Sequence, residues 1–217
     1  MVNKDQIQDC TDRGWIVLAP NHRLCPQVNM LEGPIQDSRN LLEWIHAGEL
    51  QEAIFSHTET HYPVNLNCVF EFGTSSGGTL ALCLEDPVPI EGGVSLEGQR
   101  KGGPDFSNPW QAYVSTQTAN GTVLDAVYPS GDLDKVDPIE NLSPSFPPTF
   151  IAHGAEDRMV PLHISEALFS ALSQHGVKSD LRIIPGEDHI FAARMKVGSQ
   201  TWNLQREGSD FLEEPIK

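Results

Sequence analysis

One feature constrains this chain more than any other: a serine held in a tight turn between a strand and a helix. Cys68-Val69-Phe70-Glu71-Phe72 is an apolar run of strand character. Gly73-Thr74-Ser75-Ser76-Gly77 follows at once, and the small residues of 76–84 read as a helix. A bare GxSxG pattern carries little weight, because small residues are common. A pattern that closes a strand and opens a helix is different, since each of its glycines then has a physical reason. The serine backbone is strained in such a turn, and a side chain at Gly73 or Gly77 would collide with the neighbouring strand and helix. The turn lifts Ser75 Oγ above the sheet. The Ser76 N–H, at the start of the helix, faces the place where a negative oxygen would develop.

A serine hydroxyl needs a base, and the base needs a group to orient it. Both are expected just beyond the C-terminal ends of later strands, in the order serine, acid, histidine. Thr149-Phe150-Ile151-Ala152, preceded by Pro147-Pro148, reads as a strand and leads into His153-Gly154-Ala155-Glu156-Asp157. Asp157 is the chosen acid, with Glu156 as the fallback. Leu181-Arg182-Ile183-Ile184 reads as a further strand and leads through Pro185-Gly186-Glu187-Asp188 to His189, the only histidine so placed. Asp188 is adjacent to His189, poorly placed to bond its ring, and reads as solvated. His153 ends a strand and is expected to support the acid loop, whereas His163 and His175 read as surface residues.

The rest of the chain alternates short apolar runs with helical patterns, the sign of a parallel sheet wrapped by helices. Trp15–Ala19 and Gly93–Leu96 read as two more strands. Residues 34–47 and 162–175 read as helices, the second stopped by Gly176, and a final helix is expected over 191–211, a reading that Gly198 and Gly208 weaken. The stretch from Gln99 to Phe146 is too long for an ordinary connection. It carries Phe106, Trp110, Tyr113, Val114 and Tyr128 among Gly, Pro, Asn and Ser. It reads as a partial lid, or else as a surface loop with no role in binding. Phe106, Trp110 and Tyr113 either line a substrate pocket or pack the lid's own core.

The 217 residues suit one domain with a full core. A net charge of −16 argues against nucleic acid and anionic membrane as partners. No apolar run approaches a membrane span and the N-terminus lacks a signal-peptide core, so a cytoplasmic protein is expected. Cys10, Cys25, Cys68 and Cys83 form no CxxC pair and read as free thiols. His57-Thr58-Glu59-Thr60-His61 sets two histidines four apart, but the motif lacks a Glu directly after the first, and Pro63 follows. A polar loop is the reading, with no metal site.

These residues resemble the α/β-hydrolase superfamily, and within it the esterases of the hormone-sensitive-lipase-like group. Ala19-Pro20-Asn21-His22-Arg23-Leu24-Cys25-Pro26-Gln27 is similar to that group's DYRLAPE segment. Gly33-Pro34-Ile35-Gln36-Asp37 through Leu42-Glu43-Trp44 is similar to its next helix. The resemblance implies a single α/β domain over 1–217 with a mostly parallel central sheet flanked by helices, N-terminally reduced, and a lid-like insertion at about 99–146. It also implies carboxylic ester hydrolysis through an acyl-enzyme on Ser75, Asp157 and His189, on a small molecule and without a cofactor. Two departures stand out. No His-Gly-Gly-Gly loop is recognisable among the residues before the Trp15 strand, so either the chain is a fragment, or another group supplies those oxyanion donors, or the chemistry is not ordinary ester hydrolysis. The strand near Trp15 becomes an exposed edge, which invites a homodimer. Two alternatives therefore stay open: a repurposed lyase, cyclase or other non-hydrolytic enzyme, and a non-catalytic binding protein. Glu71, inside an expected buried strand, is either a functional acid or a satisfied structural carboxylate.

Overall fold

The computed structural model describes residues 3–25, 27–83 and 131–214, together with residues 109, 112, 113, 116 and 128. The chain falls into two compact units, one built from 3–20, 68–78 and 141–214, the other from 21–67 and 79–140.

The first unit is organised on a parallel pair of strands. β1 (Thr149–Gly154) runs beside β2 (Ser179–Ile184) with Thr149 opposite Ser179 and Gly154 opposite Ile184. A parallel pair needs a crossover, and the helix between the strands supplies it. That helix is Leu162–Gln174, and it packs on both strands. Leu172 is fully buried, and Gly176 in the left-handed region (φ 73°) ends the helix, with the Val177 N–H returning to the Leu172 carbonyl at 3.0 Å. Both strands and this helix lie where the apolar pattern puts them. The α/β class with a parallel sheet flanked by helices is therefore the observed one.

The first helix of the chain, α1 (Lys4–Asp12), is not anticipated from the sequence pattern. Asn3 caps it by accepting from the Asp5 and Gln6 N–H groups. Two further helices sit at the C-terminal end, Phe191–Arg194 and Gln200–Glu213, instead of the one long helix expected over 191–211. Gly198, at φ 79°, breaks the run, and Ser199 caps the second piece by accepting from the Trp202 N–H. Gly208 does not weaken this helix. A Cβ there would sit 2.9 Å from the Phe150 ring, so the glycine admits close packing on β1. Arg13, after α1, reaches Asp210 (2.8 Å) and Glu213 (3.2 Å) on the last helix.

The expected strands Trp15–Ala19 and Cys68–Phe72 enter no ladder among the described residues. They do meet through Trp15 and Phe70, whose rings are 5.2 Å apart. Ile16, Val17, Leu18, Val69 and Phe72 are all exposed. Apolar composition reports a preference for burial, whereas a ladder needs a neighbour in register. The expected strand Gly93–Leu96 lies outside the described residues.

In the second unit a π-helical turn, Leu31–Ile35, contains Pro34 and runs straight into α2 (Gln36–His46). Gly48, at φ 86°, then turns the chain into α3 (Glu49–Thr58), again not anticipated. Leu31, Ile35, Leu80, Cys83, Tyr128 and Val136 form the core here. Tyr128 and Val136, both from the expected insertion, thus belong to a packed core. Arg23 binds Asp37 through two guanidinium nitrogens and its own backbone N–H, joining the two segments that carry the esterase resemblance. Burial by itself would raise the Asp37 pKa, but the Arg23 hydrogen bonds and charge outweigh it and hold the carboxyl low. The first half of His57–His61 is not loop: His57 and Thr58 close α3, Glu59 turns at φ 54°, and His61 stacks on Phe55. No helix among the described residues is long and apolar enough to cross a membrane.

Candidate active site

Ser75 adopts φ 55°, and with Glu59 it is one of two non-glycine residues in the left-handed region among those described. Such a conformation costs a non-glycine residue of order 1–3 kcal/mol and persists only when its surroundings impose it. Gly73 provides part of that imposition. A Cβ there would lie 2.0 Å from the Gly77 carbonyl oxygen, so only glycine lets the two ends of the turn touch. Gly77 is different from its expected role: among the described residues its missing Cβ would meet nothing within 4 Å. What matters at 77 is the backbone that Gly73 approaches. The turn closes through Gly77 N–H to Thr74 O (3.0 Å) and Gly78 N–H to Ser75 O (2.9 Å). Helix α4 (Ser76–Leu82) opens at the next residue, with Ser76 first.

Asp157 lies three residues past the end of β1. Its carboxylate is 6% exposed, and each of its oxygens has a definite duty. Oδ1 accepts from the Met159 N–H (2.8 Å) and the Val160 N–H (2.9 Å), and Oδ2 lies 2.8 Å from His189 Nδ1. Burial taken alone would raise this carboxyl's pKa. The Val160 amide, the His189 ring and the Met159 amide together outweigh it and hold the acid below its ordinary range. Glu156 takes no part through its side chain, which is exposed.

His189 follows β2 by five residues, and its loop is pinned to the acid loop by backbone. Ala155 N–H donates to Ile184 O (2.9 Å), and Glu156 N–H donates to Glu187 O (2.8 Å). Gly154 permits this approach, since a Cβ there would be 2.4 Å from Glu187 O and 2.8 Å from Asp188 O. The ring then sits between its neighbours: Nδ1 toward Asp157 and Nε2 2.9 Å from Ser75 Oγ. A carboxylate can only accept, so Nδ1 carries the proton and Nε2 is free to take one from the serine.

Three residues chosen from order and strand position are thus brought into one hydrogen-bonded line within one unit. Asp188 points elsewhere. The Ile190 N–H and Arg194 hold its exposed carboxyl, lowering its pKa, so it is ion-paired rather than merely solvated. His153 is 7% exposed and bonds Ser165 Oγ and Val160 O, inside the acid loop as expected. His163 and His175 are surface residues. Glu71 is exposed, not buried in a sheet, yet desolvation by surrounding protein pushes its pKa up to about 7. The exposure limits how much stability that shift can represent. Tyr113 is helical and exposed, whereas Phe106 and Trp110 lie outside the described residues. Sequence reasoning missed Gly154, whose lack of a side chain joins the two loops. Its position directly before the acid turn was the available signal. Among the described residues no group of three or more His, Cys, Asp or Glu side chains is placed to hold a metal ion.

Comparisons with known proteins bear on the family and the fold. Over 97% of its length the chain is 25% identical to the non-reducing polyketide synthase ascC of Acremonium egyptiacum, and it spans 13% of that protein. It is 22% identical over 98% of its length to the non-reducing polyketide synthase mapC of Penicillium brevicompactum, spanning 12% of it. The chain therefore covers about an eighth of the length of the curated relatives it matches. The ascC alignment runs over 278 positions against 217 residues here, so that relative carries additional residues inside the matched stretch. Among solved structures, Thermogutta terrifontis esterase 2 phosphoramylated by tabun superposes with a TM-score of 0.63 at 19% identity, covering 98% of this chain and 76% of that one. The acetyl ester-xyloside bifunctional hydrolase of Caldicellulosiruptor lactoaceticus superposes with a TM-score of 0.56 at 19% identity, covering 90% and 70%. Both likenesses establish the fold. The prolyl oligopeptidase family (Peptidase_S9) matches residues 107–216, half of the chain, a stretch that holds Asp157 and His189 and leaves Ser75 before it. The chain belongs to the prolyl oligopeptidase family and has the α/β-hydrolase fold.

Proposed function

We propose that this protein is a serine hydrolase that cleaves a small or medium carboxylic ester through an acyl-enzyme on Ser75. The observation that carries this reading is the line Ser75 Oγ–His189 Nε2–Nδ1–Asp157 Oδ2, with heavy-atom separations of 2.9 and 2.8 Å. Ser75 Oγ attacks the ester carbonyl as its proton passes to His189 Nε2. Asp157 holds the Nδ1–H and stabilises the imidazolium. The tetrahedral oxyanion is met by the Ser76 N–H. Collapse expels the alcohol, which takes the proton from Nε2. Water then attacks the acyl-enzyme, giving its proton to His189, and the carboxylic acid leaves as Ser75 recovers its own. Phe106, Trp110 and Tyr113 are proposed to contact the substrate. The segment around Arg23, tied to Asp37, supports placing the chain with the hormone-sensitive-lipase-like esterases.

Support for a small acyl group comes from the fold's neighbours, one of which is a propionate-bound esterase. That esterase 2 is also known phosphoramylated by tabun makes an organophosphorus probe the natural test here. Intact-mass spectrometry after incubation with a fluorophosphonate should show one adduct on the parent and none on Ser75→Ala. A parent that stays unlabelled would sink the reading and turn attention to a repurposed, non-hydrolytic enzyme on the same fold.

A second reading rests on the polyketide synthase relatives, which match nearly the whole chain. Polyketide chains are built as acyl thioesters, and the same Ser75 chemistry would release one to water. If this is the substrate, an aromatic acyl thioester of N-acetylcysteamine should be turned over with a higher kcat/KM than the matching oxygen ester. Equal or lower values favour the simple esterase.

A further inference from the structure

We propose that His153 is a positioning residue that sets the orientation of Asp157 by way of Val160. This rests on the reading of Ser75, His189 and Asp157 as a working line. His153 is the penultimate residue of β1 and is almost fully buried. A buried imidazole needs a partner for each nitrogen, and here the two partners differ. Nε2 is 3.1 Å from the Val160 carbonyl oxygen. A carbonyl can only accept, so Nε2 carries the proton. Nδ1, 2.8 Å from Ser165 Oγ, then accepts the hydroxyl proton of that residue, which lies on the crossover helix. Ser165 thereby fixes the tautomer that His153 needs.

Val160 is held on both sides. Its carbonyl accepts from His153, and its N–H donates to Asp157 Oδ1 at 2.9 Å. The other carboxylate oxygen, Oδ2, is 2.8 Å from His189 Nδ1 and 3.6 Å from His153 Nε2. At 3.6 Å that second contact is too long for a hydrogen bond. It still turns a polarised N–H edge toward the oxygen that serves His189. One continuous chain of bonds therefore runs from Ser165 on the crossover helix, through His153, Val160 and Asp157, to His189. Removing His153 frees the Val160 carbonyl, loosens the amide that anchors Oδ1, and lets the carboxylate rotate away from His189.

The test uses two independent readouts on the full chain. The Asp157-bound Nδ1–H of His189 should give a far-downfield proton resonance, assigned by its loss in Asp157→Asn. Fluorophosphonate labelling of Ser75 gives the second. In His153→Ala the resonance should broaden or vanish and labelling should slow about 10- to 100-fold, the scale of a displaced catalytic group. His153→Gln places an amide N–H near the former Nε2 and should restore both. Ser165→Ala, a milder change, should shift them in the same direction and serves if His153→Ala does not fold. The proposal is overturned if the resonance keeps its position and intensity in both alanine variants while only the melting temperature falls. It is overturned equally if the parent lacks the resonance. A parent with the responsive resonance but no labelling upholds the positioning role and refutes the hydrolase reading instead.

Discussion

Ser75, His189 and Asp157 come from three separate stretches, and each reaches its place through a different local device: a left-handed turn, a backbone-pinned loop and a carboxylate gripped by two amides. In Asp157→Asn the two amide contacts to Oδ1 can survive, but the acceptor for the His189 Nδ1–H is weakened and the wrong tautomer is favoured. In the well-studied serine protease triad the same change lowers kcat by about 10⁴. A loss of that order is expected here, read from steady-state ester hydrolysis with KM little altered. The same variant has a pH signature. Asp157 has its folded pKa below its unfolded value, so its stabilisation is fully present above the unfolded pKa and is lost as pH falls through the folded one. Melting temperature across the acid range should therefore fall more steeply in the parent than in Asp157→Asn, and parallel curves would contradict the shift. All three residues were legible in the sequence, because a serine between glycines and a charged or imidazole side chain just past a strand obey one rule of chain order. What Asp157 does with each oxygen was not legible, since the donors are backbone N–H groups and leave no mark in residue type.

At the scale of elements, β1, β2 and the crossover helix stood out because each is a sustained pattern bounded by Pro or Gly. The helices Lys4–Asp12 and Glu49–Thr58 did not. The first buries no residue, so it has no apolar stripe to read, and rests on its Asn3 cap and on Arg13 reaching the last helix. The break at Gly198 was visible as a glycine but its left-handed φ was not. Gly154 gives the sharpest test at this scale. Its Cβ would meet backbone oxygens, which cannot swing aside as a side chain can. Gly154→Ala should therefore depress hydrolysis by more than Gly208→Ala, whose Cβ meets only the Phe150 ring. A comparison of fluorophosphonate labelling rates, with melting curves alongside, reads the difference. Equal effects would mean that the loop contact does not set the site.

For the molecule as a whole, the apolar residues Ile16, Val17 and Leu18 lie exposed in a segment with no ladder partner among the described residues. An exposed apolar segment of this kind can pair with another strand. We propose a second copy of the chain as that partner. With a net charge of −16 on each copy, repulsion opposes association and salt relieves it. Sedimentation velocity should show a mass above the 23.9 kDa monomer that rises with ionic strength, and Val17→Lys should return it toward the monomer. A monomer at every salt concentration would refute the pairing. The sequence conveyed the charge and the apolar run plainly. It did not convey the division of the chain into two units, because periodicity reports only on neighbours, whereas a bond such as Arg39 Nε to the Cys83 carbonyl joins residues distant in sequence.

The acid and the histidine are carried by adjacent parallel strands whose loops share backbone bonds across Gly154. Residues 149–189 thus form a cassette: a strand, a crossover helix and a strand that deliver a finished acid–imidazole pair. The serine arrives from a different stretch of chain. An engineer moving this chemistry to another parallel sheet would transplant the cassette whole and supply only the turn that presents a hydroxyl.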